Sequence, residues 1–164
     1  MAAKEKTLDD LFFETLRDIY HAEKQIVRAL SRMAKATKTD ELREAFEAHR
    51  EETESQIERL EKVFEMIGKR PRGKPCEAIE GIIEEGKEVM EDFKGSDALD
   101  AGLLAGAQAV EHYEISRYGT LKAWASQLGL NDAVKLLDET LKEEEQTDKK
   151  LTNLAERSIN KLAA

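Results

Sequence analysis

The sequence predicts an all-α chain: a four-helix bundle with one long crossover that carries an additional short helix. Three observations predict it. Charged residues make up 37% of the 164 positions and hydrophobic ones 40%, with only two prolines and nine glycines. That composition suits amphipathic helices with salt-laced surfaces. Apolar residues recur at steps of three and four over four long segments, the period of helices that each bury one stripe. Finally, the two halves of the chain repeat each other. His21-Ala22-Glu23 matches His112-Tyr113-Glu114, and Glu23 to Glu52 spans 29 residues where Glu114 to Glu144 spans 30. Two helix pairs about a pseudo-twofold axis form a bundle with a long connection between them.

The elements follow in order. Thr7 before Leu-Asp-Asp supplies a capping hydroxyl and first-turn acids, so the first helix runs from about Leu8 to about Ala36. Its stripe is Phe12, Leu16, Ile19, Ile26, Leu30 and Met33, and the gap in the stripe holds Glu23. After the turn TKTD, the second helix has the stripe Leu42, Ala45, His49, Glu52, Gln56, Leu60, Val63 and Ile67, polar in its middle three members. Gly68 ends it, and KRPRGKPC is a loop. Residues 77–93 form a shorter helix weakened by Gly81 and Gly86. Lys94-Gly95-Ser96 breaks the chain before a third long helix, from about Asp97 to about Gln127, whose small residues between Ala101 and Ala109 permit close approach. Gly129 ends that helix and Asn131 is read as the cap of the fourth, which carries Leu137, Leu141, Glu144, Asp148, Leu151 and Ala155 on one stripe.

This is one domain, residues 1–164, by length. The net charge of −9 with no long basic run argues against a nucleic-acid partner. No apolar run approaches the roughly 20 residues of a membrane span. The start MAAKEKTLDD has no signal core, and a single cysteine, Cys76, allows no internal disulfide. The expected compartment is the cytoplasm, with no membrane partner.

The chemistry is concentrated around QAVEHYEISRY, Gln108 to Tyr118, in the most apolar part of the sequence. Glu111 and Glu114 stand three residues apart there, on one helical face. Ionised carboxylates in an apolar helix are costly unless paired or bound to metal. The candidate metal ligands are Glu23, Glu52, Glu111, Glu114, Glu144 and Asp148, with His49 and Gln56 as further ligands or as partners that orient carboxylates. Hard oxygens around two divalent ions suit iron, with manganese or zinc as alternatives. Glu52 and Glu144 are the expected bridges, and no catalytic residue is assigned. Any one inward acid is more often an ion-pair partner than a ligand, and Arg117 stands one turn beyond Glu114. Tyr20, Tyr113 and Tyr118 read as packing, Met33, Met66 and Met90 as core filler, and Glu61 and Glu143 as dispensable surface acids. His21 and His112 fall off the stripes.

The stretches TLDDLFFETLRDIYHAEKQ, AFEAHREETESQIERLEKVFE, KRPRGKPC and LLDETLKEEEQTDKKLTNLA resemble the YciF/YciE-like bacterial stress proteins, a branch of the ferritin-like superfamily. The resemblance covers nearly the whole chain. It implies a ferritin-like bundle, a homodimer and a link to stress responses; Leu11, Phe13, Ile57 and Phe64, off the main stripes, are the candidate seam for a second chain. Glu23, Glu52, Glu111, Glu114 and Glu144 look most like rubrerythrin-type sites. Two positions depart from that pattern: Ser55 stands where a histidine commonly follows the second-helix glutamate, and Asp148 stands where another is often found. No cysteine-rich segment is present to deliver electrons. Two functions follow. One is a dinuclear metal protein that reacts with dioxygen or peroxide in stress defence. The other is a metal-free scaffold acting as a dimeric stress-interaction protein, its acids satisfied by water, His49 and Arg117.

Overall fold

In the computed structural model, which describes residues 4–164, Thr7 begins α1 (Leu8–Ala36) with a reciprocal cap: its hydroxyl accepts from the Asp10 amide and the Asp10 carboxylate accepts from the Thr7 amide. A short turn leads to α2 (Asp40–Met66). Asp100, reaching across from the third long helix, holds that turn by accepting from the amides of Lys38 at 2.9 Å and Thr39 at 2.8 Å. Burial pushes the Asp100 carboxyl up, and the hydrogen bonds from Thr39 and Lys38 more than offset it, leaving it below the usual carboxylate range.

Helix α2 ends where Gly68 takes φ of 68°, a left-handed conformation that suits glycine, and Lys69 N–H closes back on the Phe64 carbonyl. The crossover is then pinned to α1: Arg17 Nε donates to the Arg72 carbonyl and Lys74 N–H donates to the Arg17 carbonyl. It carries α3 (Glu77–Asp92), which packs on α1 and on α4 (Leu99–Gln127) through buried Ile79 and part-buried Ile82, Ile83 and Val89. Gly129 repeats the left-handed ending before α5 (Asn131–Leu154). Asn131 is itself the first residue of α5 and Leu130 precedes it without a side-chain cap, so Asn131 does not serve as the cap the sequence suggested. A π-helical turn, Ala155–Ile159, and α6 (Asn160–Ala163) finish the chain.

The architecture is the expected bundle. α1 lies along α2 and α4 along α5, while α1–α4 and α2–α5 contacts close the square. Among the described residues there is no strand, and no helix is long and apolar enough to cross a membrane. Some surface expectations are corrected. Phe64 is fully buried, edge-on to Tyr20 and Phe13 at 5.3 and 6.3 Å, so it cannot belong to a seam for another chain. Met66 is 46% exposed and is not core filler.

The small residues of α4 do permit close approach. A Cβ on Gly102 would meet Val89 Cγ1 of α3 at 2.7 Å. Valine has one stiff torsion and cannot swing clear. Gly102→Ala should therefore destabilise the chain by about 1–3 kcal/mol despite its gain in helix propensity. Val89→Ala in the same chain should recover part of that loss. Urea melts of the three variants measure it; an equal or higher midpoint for Gly102→Ala alone would contradict this packing.

Candidate metal centre

Each long helix carries polar side chains into the middle of the bundle. α1 contributes Glu23, α4 contributes Glu111 and Glu114, and α5 contributes Glu144; all four are fully buried. α2 contributes His49, 4% exposed. Donor atoms of His49, Glu111, Glu114 and Glu144 lie within 4.8 Å of one another. His49 Nε2 is 3.0 Å from Glu111 Oε1 and 3.8 Å from Glu144 Oε2, within ion-pair reach but without hydrogen-bond geometry. Glu23 adjoins Glu114 and accepts a hydrogen bond from the Tyr118 hydroxyl. Tyr118 is fully buried and sits one turn beyond Glu114; it is a partner of the centre, more than the packing residue read from sequence. That i, i+4 spacing from a buried acid was the signal for it.

The electrostatics follow from burial. Desolvation pushes Glu23 up to about 8, against the opposing effects of the adjacent Glu114 carboxyl and the hydrogen bond from Tyr118. Desolvation, then the neighbouring Glu144 carboxylate, drives Glu111 well above its ordinary value. Glu114 rises likewise, from burial and then from Glu144 and Glu23. Glu144 goes the other way. Burial alone would raise it, but the adjacent Glu111 carboxyl and His49 imidazole outweigh burial and bring it down to about 2. Burial and mutual repulsion thus favour protonated acids within the metal-free cluster.

The structure places the remaining candidates around this cluster. Glu52 is half-buried on the α2–α5 side, its Oε2 accepting from the Thr147 hydroxyl at 3.1 Å. Burial, then the nearby Glu143, raises its pKa. Gln56 is fully buried; its Nε2 donates to Glu143 at 3.0 Å and its Oε1 has no partner. Asp148 lies outside the cluster, part-exposed, accepting from Gln108 at 3.2 Å and lying 3.2 Å from the exposed His112. Ser55 is exposed, and its hydroxyl turns back to the Glu51 carbonyl.

Two further readings are corrected. Arg117 lies over the Tyr113 ring at 5.1 Å instead of pairing with Glu114. Glu143 is no idle surface acid: it accepts from Arg59 at 2.6 and 2.7 Å and from Gln56. Glu61 is exposed, as read, and accepts from the Tyr20 hydroxyl at 2.9 Å.

Could this donor set hold metal? Nine buried side-chain nitrogen and oxygen atoms lack a hydrogen-bond partner among the described residues, and all belong to Glu23, His49, Gln56, Glu111, Glu114 and Glu144. Buried polar atoms are normally satisfied, so a concentration of orphans at one place calls for a ligand. Carboxylate oxygens with one imidazole are a hard, mixed O/N set, suited to first-row divalent ions. Four buried carboxylates carry the charge that two divalent ions would neutralise. The residues fit the group.

A family model described as "Domain of unknown function (DUF892)" matches residues 7–164. The chain belongs to that family. Among DUF892 relatives, protein YciF of Escherichia coli K12 is 50% identical over 159 residues, covering 96% of each chain. The crystal structure of that E. coli stress protein superposes with a TM-score of 0.91 at 50% identity, over 96% of this chain and 99% of that one. YcfI from Rhodopseudomonas palustris matches at TM-score 0.87 and 45% identity, over 93% and 97% of the two chains. A protein from Xanthomonas campestris, at 22% identity and TM-score 0.71 over 92% of each chain, shares the fold. The DUF892 chain described here thus has the YciF-like helical bundle.

Proposed function

We propose that this protein binds two divalent metal ions, iron in the first instance, inside the bundle, and reacts there with dioxygen or peroxide as part of a stress response. The observation that carries the reading is the set of orphaned buried atoms on Glu23, His49, Glu111, Glu114 and Glu144. These five residues would hold the ions, with half-buried Glu52 at the rim as an additional carboxylate. Bound ferrous iron would supply electrons and Lewis acidity to a small oxidant.

The chain's own residues prepare that chemistry. Carboxylate oxygens favour the higher charge of ferric iron. Tyr118, donating to Glu23, fixes one oxygen of that carboxylate and leaves Oε2 free. The apolar surroundings keep bulk water from competing for the donors. The metal-free scaffold reading asks Arg117 to satisfy Glu114, and the guanidinium is placed on Tyr113 instead. The stress role rests on likeness to the E. coli stress protein.

Stopped-flow absorbance in the near ultraviolet, after mixing ferrous-loaded protein with peroxide, tests the activity. Ferric formation should run faster than in protein-free buffer, and Glu144→Ala should abolish the acceleration. Equal rates in wild type, Glu144→Ala and buffer would favour the scaffold.

A further inference from the structure

The centre is buried, so an ion must cross the bundle wall to reach it. A cavity of about 430 Å³ lies between α2 and α5, and its inner wall is formed by His49, Glu52 and Thr147. The cavity between α1, α3 and α4 beside Met33, the one beside Asp100 and the one beside Tyr113 are lined by none of the five cluster residues. At about 30 Å³ per water, the α2–α5 cavity has room for a dozen or so, enough for an ion with its hydration shell.

His49 stands between this space and the acids. Its ring lines the cavity, while its Nε2, buried and without a hydrogen-bond partner, faces Glu111 and Glu144. The residues step inward by helix turns. His49 and Glu52 are three apart on α2, and Glu144 and Thr147 are three apart on α5, so each pair shares a face. Glu52 and Thr147 meet across the seam at 3.1 Å. One turn along, His49 and Glu144 meet at 3.8 Å. Only one Glu52 oxygen is held by Thr147; a carboxylate with one tethered oxygen can take a cation on the other. At the outer end Glu41 of α2 is paired with Arg157 of the π-helical turn, and both line the cavity.

We propose that the α2–α5 cavity is the loading route for divalent cations, with Glu52 the carboxylate that receives the ion and passes it by His49 to Glu144 and the inner acids. The proposal rests on the metal-binding reading above and adds a path to it. No bond other than metal–ligand bonds forms or breaks; water leaves the ion as carboxylates replace it.

Cobalt(II), whose visible absorption changes when protein ligands replace water, is the probe, mixed with chelator-stripped full-length protein in a stopped-flow instrument. Ala48 is exposed and lines the cavity, so Ala48→Trp obstructs it without touching the core. Ala78 is exposed and lines the cavity beside Tyr113, so Ala78→Trp is the control. Entry that waits for a side chain to swing aside is slowed, so Ala48→Trp should load about tenfold more slowly and reach the wild-type final absorbance. Ala78→Trp should load at the wild-type rate. Glu52→Gln, which keeps the shape and removes the charge, should also load slowly. Wild-type loading rates in both Ala48→Trp and Glu52→Gln would overturn the route while leaving the metal centre standing. Absence of any cobalt spectrum in the wild type would instead overturn the metal reading, and the route with it.

Discussion

Chelator-stripped protein should melt at a higher temperature at pH 5 than at pH 8, and protein loaded with zinc, which is redox-inert, should show the opposite trend. The first half follows from the raised acids. Glu23 is pushed up to about 8 and Glu111 and Glu114 well above the ordinary carboxyl value, all chiefly by burial. A group whose folded pKa is raised stabilises the fold fully below its unfolded pKa and loses that contribution as pH rises through the folded value. The window therefore opens near 4.5, the unperturbed carboxyl value, and extends to about 8 for Glu23 and well above the ordinary carboxyl value for the other two. Glu144, lowered to about 2, contributes above 4.5 and loses its contribution only as pH falls toward 2, so it does not alter the slope between 5 and 8. Each excess proton held by the native state costs about 1.4 kcal/mol of stability per pH unit. One such proton between pH 5 and 7 amounts to about 3 kcal/mol, or roughly 6–12 °C in a chain of this size.

Metal reverses the sign because its ligands must be deprotonated; affinity rises with pH, and binding to the native state adds stability. Calorimetric scans at pH 5, 6, 7 and 8, with and without zinc, measure both slopes. Parallel curves would contradict the account.

Glu114→Gln should separate stability from binding. Glu114 is fully buried, and neither carboxylate oxygen has a partner among the described residues. The amide is nearly isosteric, carries no charge and can donate to the Glu23 or Glu111 carboxylate. The metal-free variant should be as stable as wild type or more so, because the amide stays neutral among the buried acids without having to hold a proton. Its metal affinity should fall by more than the roughly 10–100-fold that loss of an outer partner costs. Denaturant melts of the stripped proteins and zinc titrations measure the two effects. A destabilised metal-free variant would mean that Glu114 is held by a structural ion pair.

The helices and the inward acids were legible because both are statements about period. Thr7, Gly68 and Gly129 mark helix ends by chemistry that is local to the chain, and Glu23, Glu111, Glu114 and Glu144 interrupt apolar stripes wherever the bundle axis passes. Less legible was the choice between neighbouring stripes on the polar helices. On α2 the sequence suggests Ala45 and Glu52 as inward residues, whereas Phe46 and Thr53 are the buried ones. On α5 it suggests Leu141 and Asp148, whereas Thr140 and Thr147 are buried. Three of these four exchanges bury a larger ring or a threonine in place of an acid, and the fourth buries Thr140 in place of Leu141. Threonine is cheap to bury because it can satisfy itself, as Thr53 does by donating to the His49 carbonyl at 2.8 Å.

These shifts take Asp148 out of the cluster and leave Glu52 at its rim, while His49, already on the inward stripe, joins it. The internal repeat correctly pairs Glu23 with Glu114 but hides an asymmetry. The α1 position matching Glu111 is Tyr20, which points to Glu61. Glu143 was misread for a different reason. Its partner Arg59 lies 84 positions away, and no periodicity reports a contact between helices that far apart in sequence.

A metal-ligand role for the buried acids and His49 is what their unpartnered atoms imply. Its most direct test is calorimetric titration of chelator-stripped protein with ferrous iron under anaerobic conditions, paired with the same titration of Glu111→Ala. The account predicts saturation at about two ions per chain, as a two-metal centre requires, with protons released on binding and the stoichiometry lost in Glu111→Ala. Binding that never saturates, or that is identical in wild type and Glu111→Ala, would contradict it.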